Sequence, residues 1–161
     1  MKKMFLFIWV VIFCLTAADL GWAGELKIGY ISLSTIFQEY NKVTDSNKKL
    51  DVVKNDLKKL IDDVRDLGKN YDQLSEKGKE EREKQIKAKE EGIIKRRDEL
   101  RNEEDRILRE ILKDIENATR EIRQKEKWTY IIDDRLIIDG PEDMDVTNEV
   151  VKLLNTSYKG K

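Results

Sequence analysis

The 161-residue chain has no histidine, one cysteine and one proline, and only 7% of it is aromatic. Lacking histidine, it lacks the commonest general base and a frequent metal ligand. Its cysteine, Cys14, sits in an apolar N-terminal run expected to be removed. What remains can form no disulfide and offers no thiol nucleophile. Ser32, Ser34, Ser46, Ser75 and Ser157 stand in no motif with a base. No catalytic residues, no cofactor and no metal site are expected. The acidic group Asp139, Glu142, Asp143 and Asp145 lacks EF-hand spacing and reads as a solvated turn rather than a calcium site. Charge of one sign is also missing: 32 Lys and Arg stand against 33 Asp and Glu. Nucleic-acid binding needs a basic face, so none is expected.

Lys2 and Lys3 precede Met4 to Ala18, an apolar run of the length of a secretory h-region and short for a membrane span. Gly21 and Ala23 supply the small residues of a cleavage site. Residues 1–23 are therefore expected to be a signal peptide cleaved after Ala23, with an uncleaved anchor as the competing reading. The exported chain loses Lys2, Lys3 and Asp19, which leaves 30 basic and 32 acidic residues.

Residues 41–127 dominate what is present, and more than half of them are charged. Leu50, Val53, Leu57, Leu60, Val64, Leu67, Tyr71 and Leu74 alternate in steps of three and four, the seam of a helix lying along another helix. Ile86, Ile93, Leu100 and Ile107 repeat every seven residues, and Ile111, Ile115, Ala118 and Ile122 continue at helical spacing. The two sets mirror each other: Leu74 with Ile86, Leu67 with Ile93, Leu60 with Leu100 and Val53 with Ile107 all share a midpoint at residue 80. The pattern predicts an antiparallel helical hairpin with its tip near residues 75–81. At about 1.5 Å per residue its legs reach roughly 50 Å. Leu57, Val64 and Tyr71 would face charged residues, so the seam is expected to be half dry. Gly68 and Gly92 share the same midpoint, which reads either as a hinge in the outer third of the arm or as two unrelated surface glycines.

The flanks carry strand and cap signals. Leu26 to Ile31 reads as a strand with Leu26, Ile28 and Tyr30 on one face, followed by a helix capped by Ser32 or Ser34 with Ile36, Phe37 and Tyr40 inward. Trp128 to Asp133 and Leu136 to Ile138 read as a strand pair turning at Asp133-Asp134-Arg135. Asp145 or Thr147 caps a last helix bearing Val146, Val150, Val151, Leu153 and Leu154, and the tail after Asn155 is expected to fray. Residues 24–40 and 128–161 would thus form a small β-rich body. So small a body is expected to complete its core by oligomerising. Its candidate assembly residues are Ile28, Tyr30, Phe37, Ile131, Ile132, Val146 and Val150. The fold class is α+β: a long coiled-coil hairpin arm projecting from a small β-rich body that oligomerises.

The order of parts, with KIGYISLSTIFQEY (Lys27 to Tyr40) and YIIDDRLIIDGPEDMDVTNEVVKLLN (Tyr130 to Asn155) as its more specific stretches, resembles the Skp/OmpH family of periplasmic chaperones. Ile28, Tyr30 and Phe37 match its opening; Ile131-Ile132-Asp133, Asp145-Val146-Thr147 and Val150 match its closing. The resemblance implies a homotrimer whose arms surround a cavity. It implies ATP-independent holding of unfolded outer-membrane proteins in the periplasm. Near-neutral charge departs from the basic surface that relatives turn toward lipopolysaccharide, so that partner is doubtful here. The competing reading is an exported structural coiled-coil spacer of the cell envelope, which would want a continuous dry seam and no flanking strands.

Overall fold

The computed structural model describes residues 26–160, so the signal-peptide reading of residues 1–23 lies outside the described residues. In chain order the elements are β1 (Ile28–Ile31), α1 (Leu33–Glu39), α2 (Asn41–Leu67), α3 (Glu76–Lys125), β2 (Tyr130–Asp133) and α4 (Thr147–Ser157). β1 and β2 pair in parallel, with Ile28 opposite Tyr130 and Ile31 opposite Asp133. The long hairpin of α2 and α3 is thus inserted into the crossover between two parallel strands.

The body holds two short helices and one two-stranded sheet of four-residue strands; it is not β-rich. The expected third strand does not form. Asp133 instead accepts from the backbone N–H of Arg135 at 3.0 Å and holds its guanidinium at 2.9 and 2.6 Å. This winds Asp134–Leu136 into a 3₁₀ turn. β2 therefore pairs with β1 and not with the segment after it. On its other side β1 meets the segment before α4, where the N–H of Val146 donates to the carbonyl of Tyr30 at 3.0 Å.

The buried face of β1 is the one opposite Leu26, Ile28 and Tyr30. Gly29 and Ile31 are buried, while Ile28 and Tyr30 are only half-buried. The cause is Trp128. A side chain at Gly29 would meet its ring and the carbonyl of Met144 at 3.3 Å, so only glycine lets the indole lie against the strand. Trp128 is brought there by the end of α3. Lys127 takes a left-handed φ of 59° and the N–H of Trp128 donates back to the Arg123 carbonyl at 3.0 Å, the bond of a Schellman stop. Lys27 covers the outer face of the ring, its ammonium 3.6 Å from the centroid.

The core draws on the root of the arm as well as on the body. Ile111, Ile115, Ala118 and Ile122 of α3 pack with Ile31, Ile36, Tyr40, Trp128 and the α4 residues Val150, Val151 and Leu154. The sequence signal for α4 holds, and it runs to Ser157 rather than fraying after Asn155. Asp145 accepts from the N–H of Thr147 at 2.9 Å, and the Thr147 hydroxyl accepts from the N–H of Ser32 at 2.9 Å. This pair ties the start of α4 to the β1–α1 junction. Ser32 occupies the N-cap position of α1, but its hydroxyl pairs with Ser34 instead of capping.

The hairpin turns earlier than residues 75–81. Gly68 closes α2, Asn70 adopts a left-handed φ of 55°, and Ser75 caps α3 by accepting from the N–H of Gly78. Contacts across the legs join Lys42 to Asp114, Lys54 to Glu104, Asp63 to Lys89 and Tyr71 to Glu83. Their midpoints, 78, 79, 76 and 77, lie short of residue 80. They fit better the register one heptad away, in which Leu67 is level with Ile86, Leu60 with Ile93 and Val53 with Leu100. Within the hairpin beyond the core, Leu50 and Ile93 are buried and the other seam residues only half-buried, as a half-dry seam requires.

The glycines are not opposed. Gly68 is a helix terminus, while Gly92 lies inside α3 with nothing within 4 Å of where its Cβ would be. Gly92→Ala is expected to stiffen the arm by about 1 kcal/mol. Hydrogen exchange of the amides around it should slow about fivefold; unchanged exchange would remove Gly92 as a soft point.

Candidate binding surfaces

Two surfaces stand out, one on the arm and one at the edge of the body. On the arm, Val52 and Ile94 are 62% and 60% exposed, and Leu108 and Leu112 nearly half exposed. They stand among alternating charges, several of which pair within their own helix, as Arg106 does with Glu103 and Glu110 and Arg120 with Glu116. Such exposed pairs contribute little to stability. Their effect is to keep an apolar, partly wet surface soluble. Toward the root, Leu112 and Ile115 join Ile31, Leu33 and Ile131 in an open apolar groove rimmed by Glu116, Arg120 and Arg123. The buried hydroxyl of Thr119, which also lines it, has no partner among the described residues.

At the body, the outer edge of β2 carries no strand among the described residues. Tyr130 is exposed beside it, and Leu136 and Ile138 just beyond are 76% and 105% exposed. Unpaired backbone next to bare aliphatic side chains is what an associating strand edge presents.

The expected assembly residues divide. Val146 and Val150 are consumed by the chain's own core, because α4 packs against α1 and α3. Phe37 and Ile131 pack against that core from its margin, and Ile28, Tyr30 and Ile132 are half-buried around the sheet. Leu136 and Ile138, which the sequence reading puts in a paired strand, are not among the expected assembly residues. Their unbroken apolar run is the signal that could have found them. Of the acidic group, Asp145 is engaged at the start of α4, and among the described residues no three potential ligands converge on a metal site.

The root of the arm holds a compact polar cluster. Tyr40, buried, donates to Asp114 at 3.0 Å, and the Lys42 ammonium reaches the same carboxylate at 2.8 Å and Glu110 at 3.4 Å. Burial, then the hydrogen bond to Asp114, hold the Tyr40 phenol well above its ordinary 10.0. Burial works the other way on Lys42, but the bond and charge of Asp114 outweigh it and raise the ammonium too. A group whose folded value is raised stabilises the fold fully below its unfolded value and loses that contribution as the pH climbs through the folded one. The melting temperature is therefore expected to fall above pH about 10, and more shallowly in Tyr40→Phe. Parallel curves would show that the cluster does not govern alkaline stability.

Comparison with known proteins supports this architecture. Residues 27–154 match the family described as outer membrane protein (OmpH-like). No curated protein matches the chain. Among solved structures, a Caulobacter crescentus protein described as a candidate OmpH-like outer membrane chaperone superposes with a TM-score of 0.64 at 14% identity, over 84% of this chain and 87% of that one. At that identity the likeness speaks for the fold alone. The family match spans most of the chain, from the residue before β1 to the last buried leucine of α4, and the chain belongs to the OmpH-like family of outer membrane proteins.

Proposed function

We propose that this protein is an ATP-independent periplasmic holdase that binds unfolded outer-membrane proteins between flexible arms and keeps them from aggregating. The observation that carries this is the arm. A seam that leaves most of its apolar residues half-buried, with Val52, Ile94, Leu108 and Leu112 exposed among balanced charges, offers many weak contacts that depend little on client sequence. At about 1.5 Å per residue the 50-residue α3 alone spans about 75 Å, long enough to line a cavity.

The function is non-enzymatic in this reading. The free edge of β2 with Leu136 and Ile138 supports assembly of the bodies, and a homotrimer is the arrangement proposed. Several arms around one client multiply weak contacts through effective concentration. Export with cleavage after Ala23 would deliver the chain to the periplasm. Binding to lipopolysaccharide or nucleic acid forms no part of the proposal. A structural spacer is disfavoured by the wet seam and by a body built into the arm's root.

The test is on the arm. Val52→Ser with Ile94→Ser removes two exposed side chains and leaves the core alone. Burying each against a client is worth about 1 kcal/mol at partial coverage, so affinity for a urea-unfolded outer-membrane β-barrel should fall about thirtyfold while the melting temperature holds. Unchanged affinity would exclude the arm as the binding surface.

A further inference from the structure

The break between α1 and α2 is where body becomes arm. Tyr40 stands there in extended conformation, with φ −77° and ψ 116°. It ends one helix and starts the next, and its own side chain caps neither. Such a break leaves carbonyls orphaned on one side and N–H groups on the other. Asn155, more than a hundred residues away near the end of α4, serves both. Its Oδ1 accepts from the N–H of Asn41 at 2.8 Å, and its Nδ2 donates to the carbonyl of Glu39 at 2.9 Å. Only this orientation of the amide satisfies both partners.

Tyr158 adds a second hold. Its ring meets the ring of Tyr40 edge-on at 5.9 Å, and its hydroxyl donates to Asp45 on α2 at 3.4 Å. The two legs of the arm are thus rooted differently. α3 runs unbroken from the tip into the core, whereas α2 joins the body through a break.

We infer that the end of α4 is a clasp on the arm's hinge, with Asn155 as its positioning residue and Tyr158 as its second contact. An antiparallel hairpin cannot bend without one leg sliding along the other. Since α3 is continuous, the slack lies at Tyr40. Closed, the clasp fixes α2 against the body and sets the arm's exit. Open, it lets α2 slide and the arm swing. Both Asn155 bonds lie at the surface, where water can replace them; Tyr40 itself is buried and bonded to Asp114, so opening loosens α2 around that anchor while α3 keeps its packing.

Hydrogen exchange on the assembled protein, with parallel melting curves, tests this. In Asn155→Ala, exchange over residues 41–47 is expected to speed about tenfold while residues 111–122 of α3 keep their protection. Asn155→Asp keeps the acceptor for Asn41 but loses the donor to Glu39, and should give a smaller change confined to the same residues. Parent-like exchange over 41–47 in both variants would overturn the inference. So would equal acceleration over both stretches, or loss of the fold in both variants, since either would make Asn155 a residue of general stability.

Discussion

Leu136→Asp combined with Ile138→Asp is expected to reduce the proposed trimer to monomers while leaving each chain folded. Both side chains are largely bare and lie outside the core cluster, so their replacement costs the isolated chain little. In an assembly each would be covered, and covering an aliphatic side chain of this size is worth about 1.5–3 kcal/mol. Burying a carboxylate there in its place adds a desolvation cost of several kcal/mol. Repeated at every interface of a cyclic assembly, the change would weaken association by many orders of magnitude. Sedimentation should show a single slow species with helical circular dichroism retained. A variant that assembles like the parent would show that the β2 edge is not the interface.

Ile36→Ala is expected to produce the largest loss of stability. Ile36 is 0% exposed, on the short helix α1 that rests on α4 and on the root of α2. Its truncation removes apolar contact and leaves a cavity, together worth about 2–5 kcal/mol. That is a large part of the roughly 5–15 kcal/mol that holds an ordinary domain together. The body here is small, and the arm's exposed surface adds little to it. The melting temperature should fall by about 10 °C or more. The test is thermal unfolding at fixed protein concentration, because assembly would make the midpoint concentration-dependent. A shift of a degree or two would mean that α1 is not part of the cooperative core.

The hairpin shows where sequence suffices and where it stops. The two apolar repeats were enough for two long antiparallel helices and for a seam that is only half dry. They could not fix the register, because a seven-residue repeat matches itself again one heptad away. The choice was made at the tip, where Asn70 turns left-handed and Ser75 caps α3. Neither feature has a strong sequence signal beside the glycine and lysine of the SEKGKEE stretch. In the body, strand propensity identified β1 and β2. It failed for Leu136 to Ile138, where the bonds that Arg135 donates to Asp133 compete with pairing. It did not show which face of β1 is buried, since the burial of Gly29 depends on the Trp128 indole, which arrives at the arm's root only after the whole hairpin. The α4 tail stays helical to Ser157 for a simpler reason. Tyr158 follows Leu154 by four residues and Val151 by seven, and so continues the buried stripe of the helix.

Sedimentation velocity of the exported chain, alone and after mixing with a urea-unfolded outer-membrane β-barrel diluted into nucleotide-free buffer, tests the central claim most directly. The account predicts a trimer that carries the barrel protein in one defined, soluble complex. An elongated dimer that leaves the barrel protein to precipitate would contradict it and favour the structural spacer.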